Sequence, residues 1–166
     1  GDEAMGTQGD FTYAFDMARE AGLRLTSHAG EWGGPDSVRD AIRDLKVERI
    51  GHGVRAIEDL ALVDEIAEAG IVLEVCPGSN VVLGVYPTWS DHPISELRKR
   101  GVKVTISTDD PPFFHTTMRR EFDRLSETFG WEAEDFMELN KVALAAAFCD
   151  DATREVVAKK LEQTNA

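Results

Sequence analysis

Three short motifs carry side chains able to do metal and acid–base chemistry. Ser27-His28-Ala29-Gly30-Glu31 sets an imidazole and a carboxylate three residues apart, around a glycine that lets the backbone turn tightly beside a ligand. His28 at a strand end can present a ring nitrogen to a metal, and Glu31 on the following loop reaches the same volume. The same stretch also reads as a hydrogen-bonded loop histidine beside a solvated glutamate. Gly51-His52-Gly53 bares the backbone on both sides of a second imidazole, or is a tight turn with an incidental histidine. Ser107-Thr108-Asp109-Asp110-Pro111 puts two adjacent carboxylates after an apolar run. Neighbours on an extended chain point in different directions, so one can face a metal and the other a substrate. Pro111 holds Asp110 away from the helical region. The alternative is a helix N-terminus, where Asp is common. Together His28, Glu31, His52, Asp109 and Asp110 form a nitrogen-and-oxygen donor set suited to zinc or a similar divalent ion. One His and one Asp do not close a catalytic zinc site, which takes three or more protein ligands. The chain has no H-x-H pair to complete it. His92 and His115 lie near helix starts and read as caps or surface residues.

The motifs share a place in the chain. Four β-branched or apolar segments read as short strands: Leu23 to Thr26, Glu48 to Gly51, Ile71 to Val75 and Val102 to Ser107. His28, Gly30 and Glu31 follow the first, and His52 follows the second. Cys76, Ser79 and Asn80 follow the third, and Asp109 and Asp110 the fourth. Helical periodicity fills Phe11 to Ala21, Ser37 to Leu45, Asp59 to Ala69 and Ile94 to Arg100. Three more helices are expected over Thr116 to Phe129, Glu134 to Phe148 and Asp151 to Gln163. Gly22, Gly70 and Gly101 stand where helices should stop before strands. Ser90 or Asp91 is expected to cap the helix containing Ile94, and Pro35 marks a helix start. This alternation makes a parallel sheet with right-handed crossovers. In a closed (β/α)8 barrel the chemistry sits at the C-terminal strand ends, but such a barrel needs at least about 200 residues. With four strands, the chain reads as a half-barrel, residues 1–166 forming one unit. Its strands read as buried on both faces. Its two open edges predict self-association unless an absent half covers them.

Composition narrows the partners. The chain has 166 residues and a formal charge of −13. A surface this acidic repels phosphate backbones and anionic lipid heads, so neither nucleic acid nor a membrane surface is an expected partner. No apolar stretch of about 20 residues is present to span a membrane. Two cysteines without a C-x-x-C pair fit a reducing, cytoplasmic setting. The opening Gly1-Asp2-Glu3 shows no signal-peptide pattern, and without an initiator Met the chain is expected to be a piece of a longer protein.

Ser27 to Glu31, Arg49-Ile50-Gly51-His52-Gly53, Glu74-Val75-Cys76-Pro77 with Ser79-Asn80, and Ser107 to Pro111 resemble, in order and rough spacing, the adenosine deaminases. These are metal-dependent, amidohydrolase-type barrels. The likeness covers essentially the whole chain and implies that it corresponds to strands five to eight of the (β/α)8 TIM-type barrel. It implies His28 and Asp109 as zinc ligands and Glu31 as the acid that protonates purine N1. It implies His52 as the group that orients, and helps deprotonate, the attacking water. Asp110 would meet purine N7, Gly30 would offer its N–H to the purine, and Gly1 would lie near purine N3. The family's H-x-H pair belongs to the absent N-terminal half. The implied activity of the full-length protein is zinc-dependent hydrolytic deamination of adenosine (and deoxyadenosine) to inosine and ammonia, the isolated chain being inactive. Gly1-Asp2-Glu3 favours adenosine, because adenine-specific relatives carry a Ser-Ser-Glu-type stretch with a Pro-Pro pair nearby. The alternatives are an adenine deaminase of the same family and a non-catalytic half-barrel interaction module.

Overall fold

Four parallel strands, β1 (Thr26–Ala29), β2 (Arg49–His52), β3 (Val72–Val75) and β4 (Lys103–Ile106), form one sheet in chain order. The computed structural model describes Glu3 and residues 6–163. Gly1 therefore lies outside the described residues.

Helices α1 (Thr12–Glu20), α2 (Gly34–Asp40), α3 (Leu60–Ala69), α4 (Pro77–Val82) and α5 (Ile94–Lys99) alternate with the strands. The chain then runs through α6 (Pro111–Phe114), α7 (Met118–Phe129), α8 (Ala133–Ala146) and α9 (Asp151–Gln163). Local chemistry sets the ends. The Asp59 side chain accepts from the Ala61 and Leu62 N–H groups at the start of α3, and Gly70 ends it at φ 69°. Thr117 caps α7 and Gly130 closes it in the same left-handed region. At α5 the expected Ser90 or Asp91 cap is not used. The His92 ring instead accepts from the Ile94 N–H at 3.2 Å. Asp91 is turned back, accepting from Thr88 Oγ1 at 2.7 Å.

The first strand lies three residues beyond its expected place. Parallel pairing decides this: Thr26 to Ala29 align with Arg49 to His52, while Leu23 stays outside and exposed. As a result His28 and His52 lie within the ends of their strands rather than after them.

The two sheet faces differ in chemistry. Ser27, Ile50, Leu73 and Val104 form one row across the sheet. Ile50, Leu73 and Val104 pack into a core with Leu45, Leu62, Ile66 and Leu97 from the helices. The other face carries Thr26, Arg49, Val72 and Lys103 in one row and His28, Gly51, Glu74 and Thr105 in the next. The expectation of strands apolar on both faces is therefore corrected. The inner face is mostly polar, and Glu74 accepts from Thr26 Oγ1 at 2.8 Å and pairs with Arg49 at 3.3 Å. At its floor the Arg49 guanidinium lies 3.6 Å over the Phe148 ring. Among the described residues, β1 and β4 each have one strand neighbour. The Gln8 side chain covers part of the β1 edge by donating to the His28 carbonyl at 2.8 Å. No helix among the described residues is long and apolar enough to cross a membrane.

Candidate active site at the strand ends

The C-terminal ends of β1, β2 and β4 bring His28, Glu31, His52 and Asp109 together. The nitrogen or oxygen atoms of His28, Glu31 and His52 lie within 4.8 Å of one another, as do ligand atoms of His52, Cys76 and Asp109. His28 projects from the inner face across Gly51, where an added Cβ would overlap its ring. That close approach, rather than turn geometry, is what Gly51 provides. The His28 and His52 rings meet edge to face at 5.0 Å.

His52 and Asp109 both hold left-handed backbone conformations, φ 63° and 57°. Such conformations are uncommon outside glycine and concentrate where surroundings force a side chain into position. Here they turn His52 Nε2 towards Glu31 Oε2 at 3.5 Å and Asp109 Oδ2 at 4.0 Å. Asp109 is fixed from behind, its Oδ2 accepting from Ser79 Oγ at 2.7 Å.

Burial first, and then the charges of Asp109 and Glu3, push the Glu31 carboxyl up to about 7. Its Oε1 is buried with no hydrogen-bond partner. Burial, then the neighbouring His28, lowers His52 to about 4. Burial and the charge of Asp109 push the Cys76 thiol up to about 12, so it stays neutral beside the acids. The cluster thus pairs a carboxyl that can carry a proton at neutral pH with an uncharged imidazole.

Two residues expected at the substrate have partners within the chain. The Gly30 N–H donates to Glu3 Oε1 at 2.5 Å. Gly30 is required by packing: at φ 70°, a Cβ would overlap Val38. Asp110 is exposed at the start of α6, where its backbone carbonyl accepts from Phe113 and Phe114. Its side chain belongs to neither group of close ligand atoms, His28–Glu31–His52 or His52–Cys76–Asp109.

Other residues hold the site and were not given roles by sequence pattern. Glu3 accepts from the N–H groups of Gly30, Glu31 and Trp32 and from Ser37 Oγ. Burial works to raise its pKa, but those hydrogen bonds overcome it and keep Glu3 ionised. It thereby moulds the loop that carries Glu31. His92, expected to be a cap or surface residue, does accept from a helix N–H but is buried. Its Nε2 lies 3.2 Å from Asn80 Oδ1, and Asn80 Nδ2 lies 3.2 Å from His52 Nδ1. His115 is exposed and apart from the cluster. The adjacency of Ser79 and Asn80 after β3 was the one sequence signal for this support.

A family model described as adenosine deaminase matches residues 1–164. An adenine deaminase of Rhizobium johnstonii is 51% identical over 161 residues, covering 97% of this chain and 50% of that protein. One from Agrobacterium fabrum is 52% identical with the same coverage. Among solved structures, an adenine deaminase from Arthrobacter aurescens aligns with a TM-score of 0.94 at 31% identity, over 100% of this chain and 51% of that one. An amidohydrolase from Burkholderia ambifaria with bound zinc aligns at 0.82 and 29% identity, over 93% and 43%. The chain spans about half the length of the curated relatives it matches.

Proposed function

The chain belongs to the adenosine deaminase family, and from that premise we propose that it supplies the C-terminal half of a barrel that hydrolyses adenine to hypoxanthine and ammonia. Adenine stands here in place of adenosine, the substrate expected from Gly1-Asp2-Glu3. Relatives near 50% identity are named adenine deaminases. The part of that opening stretch with a visible role is Glu3, which binds the Glu31 loop. A glutamate there is common to the adenosine and adenine patterns, so it does not separate them.

The observation that carries the chemistry is Glu31: half-buried, close to His52, raised to about 7 and with one buried oxygen unpartnered. Deamination adds water at C6 of the purine and drives electrons onto N1. Glu31 in its protonated form gives N1 a proton as that charge develops. Of the two protons of the added water, one replaces that given by Glu31 and the other completes the leaving amine, so that the C6–N bond breaks and ammonia departs. His28 and Asp109 fit a zinc ion, being imidazole and carboxylate donors that line one cavity from the two outer strands of the sheet, each with a ligand atom within 4.8 Å of His52 and beside the orphaned Glu31 oxygen. When bound, zinc supplies the Lewis acidity that makes water nucleophilic near neutral pH. Ser79 fixes the orientation of Asp109 towards it. His52 positions the attacking oxygen and stabilises charge that develops there. The remaining ligands would come from the half of the barrel outside this chain.

Ammonia release from adenine and from adenosine by the full-length protein tests the reading. The expected kcat/KM for adenine exceeds that for adenosine by at least about a hundredfold. A preference for adenosine would restore the nucleoside reading, and release from neither would reject deamination.

A further inference from the structure

We infer that Asn80 and His92 are positioning residues that fix His52 with its proton on Nε2. Their hydrogen bonds run in one direction from a donor whose identity is certain. The Ile94 backbone N–H donates to His92 Nδ1 at 3.2 Å. A neutral His92 therefore carries its proton on Nε2. That nitrogen lies 3.2 Å from Asn80 Oδ1, which accepts. The other end of the amide, Nδ2, lies 3.2 Å from His52 Nδ1. An amide nitrogen only donates, so His52 Nδ1 must offer a lone pair. The His52 proton is left on Nε2, the nitrogen that faces Glu31 and Asp109.

The reverse arrangement fails at one link. Flipping the Asn80 amide would set its NH2 against the Nε2–H of His92, donor against donor. Asn80 has no exposed surface, and His52 and His92 are only 2% and 3% exposed, so a mismatch there is paired with nothing else. The Tyr86 ring packs edge-on against His92 at 5.1 Å and restricts rotation of the imidazole.

The consequence rests on the deaminase reading above. With its proton on Nε2, His52 donates to the attacking oxygen and has no lone pair on that side. It orients the water and does not take the water's proton, which narrows the role that the family resemblance implied.

The test is the tautomer of His52 in full-length protein labelled with 15N-histidine, read by long-range 1H–15N correlation without substrate. The wild type is expected to show a proton on Nε2 and a bare Nδ1. Asn80→Asp replaces the donor with a carboxylate, so Nδ1 should gain a proton and kcat should fall by about 10²–10⁴, as wrong tautomers do elsewhere, with KM changed much less. His92→Gln keeps a donor near the place of Nε2 and should retain the wild-type tautomer and most of kcat, whereas His92→Leu should retain neither. This second pair decides the matter if Asn80→Asp does not fold. A bare Nδ1 in Asn80→Asp, or identical His52 spectra in His92→Gln and His92→Leu, would overturn the inference. Because the tautomer is read without turnover, a protein inactive on adenine would reject the proposed reaction and leave the relay standing or falling on its spectrum.

Discussion

At the scale of single residues, environment divides the labour between groups of ordinary chemistry. Glu31 and Glu3 are both carboxylates, yet burial beside Asp109 lifts one to about 7 while hydrogen bonds from a loop and Ser37 keep the other ionised. The sign of the pH dependence follows. Glu31 acts in its protonated form, which is lost as pH rises through about 7. With substrate well below KM, turnover of adenine should fall by up to about tenfold per pH unit above that point. Glu31→Gln should abolish this limb along with most of the rate. A wild-type rate that stays flat to pH 9 would show that Glu31 is not the acid. His28, Glu31, His52 and Asp109 were legible in sequence because their types are rare and each follows an apolar segment. Glu3 and His92 were not, and Asn80 was visible only as a polar residue after the third strand, since their roles depend on partners distant in sequence. Glu3 meets a loop 27 to 29 residues away and Asn80 meets His52 at a separation of 28.

At the scale of elements, α4 is the piece on which the site leans. It spans six residues, and two of them, Ser79 and Asn80, hold Asp109 and His52. Glu121 of α7, itself buried, anchors it by accepting from the Gly78 N–H at 2.9 Å and from Thr116 Oγ1 at 2.6 Å. Gly78 is required because a Cβ there would overlap the Glu121 carboxylate. Glu121→Ala should therefore cost about 1–3 kcal/mol in the denaturant unfolding of the full-length protein. Gly78→Ala should cost more alone than in the Glu121→Ala background, because removing the carboxylate makes room for the methyl. Strictly additive costs would show that α4 is not held this way. The longer helices were legible from apolar periodicity and their caps, and three of the four strands lay close to their expected places. Helices α4 and α6 were not, being too short for a periodic face and opening on prolines that read equally well as turns. The polar inner face was missed for a related reason: strands of four residues show too little alternation to separate one buried face from two.

At the scale of the whole molecule, the half-barrel places every catalytic candidate at one end of an open sheet and leaves its inner face polar. Thr26, Arg49 and Glu74 already pair with one another below the site. A complementary half would thus close over a polar, ion-paired floor rather than an oily one. The central claim is that this strand-end cluster is the working site of an adenine deaminase, with Glu31 as its acid. Ammonia release from adenine by full-length wild type and Glu31→Gln, with the zinc content of both proteins measured alongside, tests it most directly. The account predicts a fall in kcat of about 10²–10⁴ in the variant with zinc retained, because the amide keeps the shape but cannot deliver the proton. Near-normal turnover by Glu31→Gln at full zinc content would contradict it.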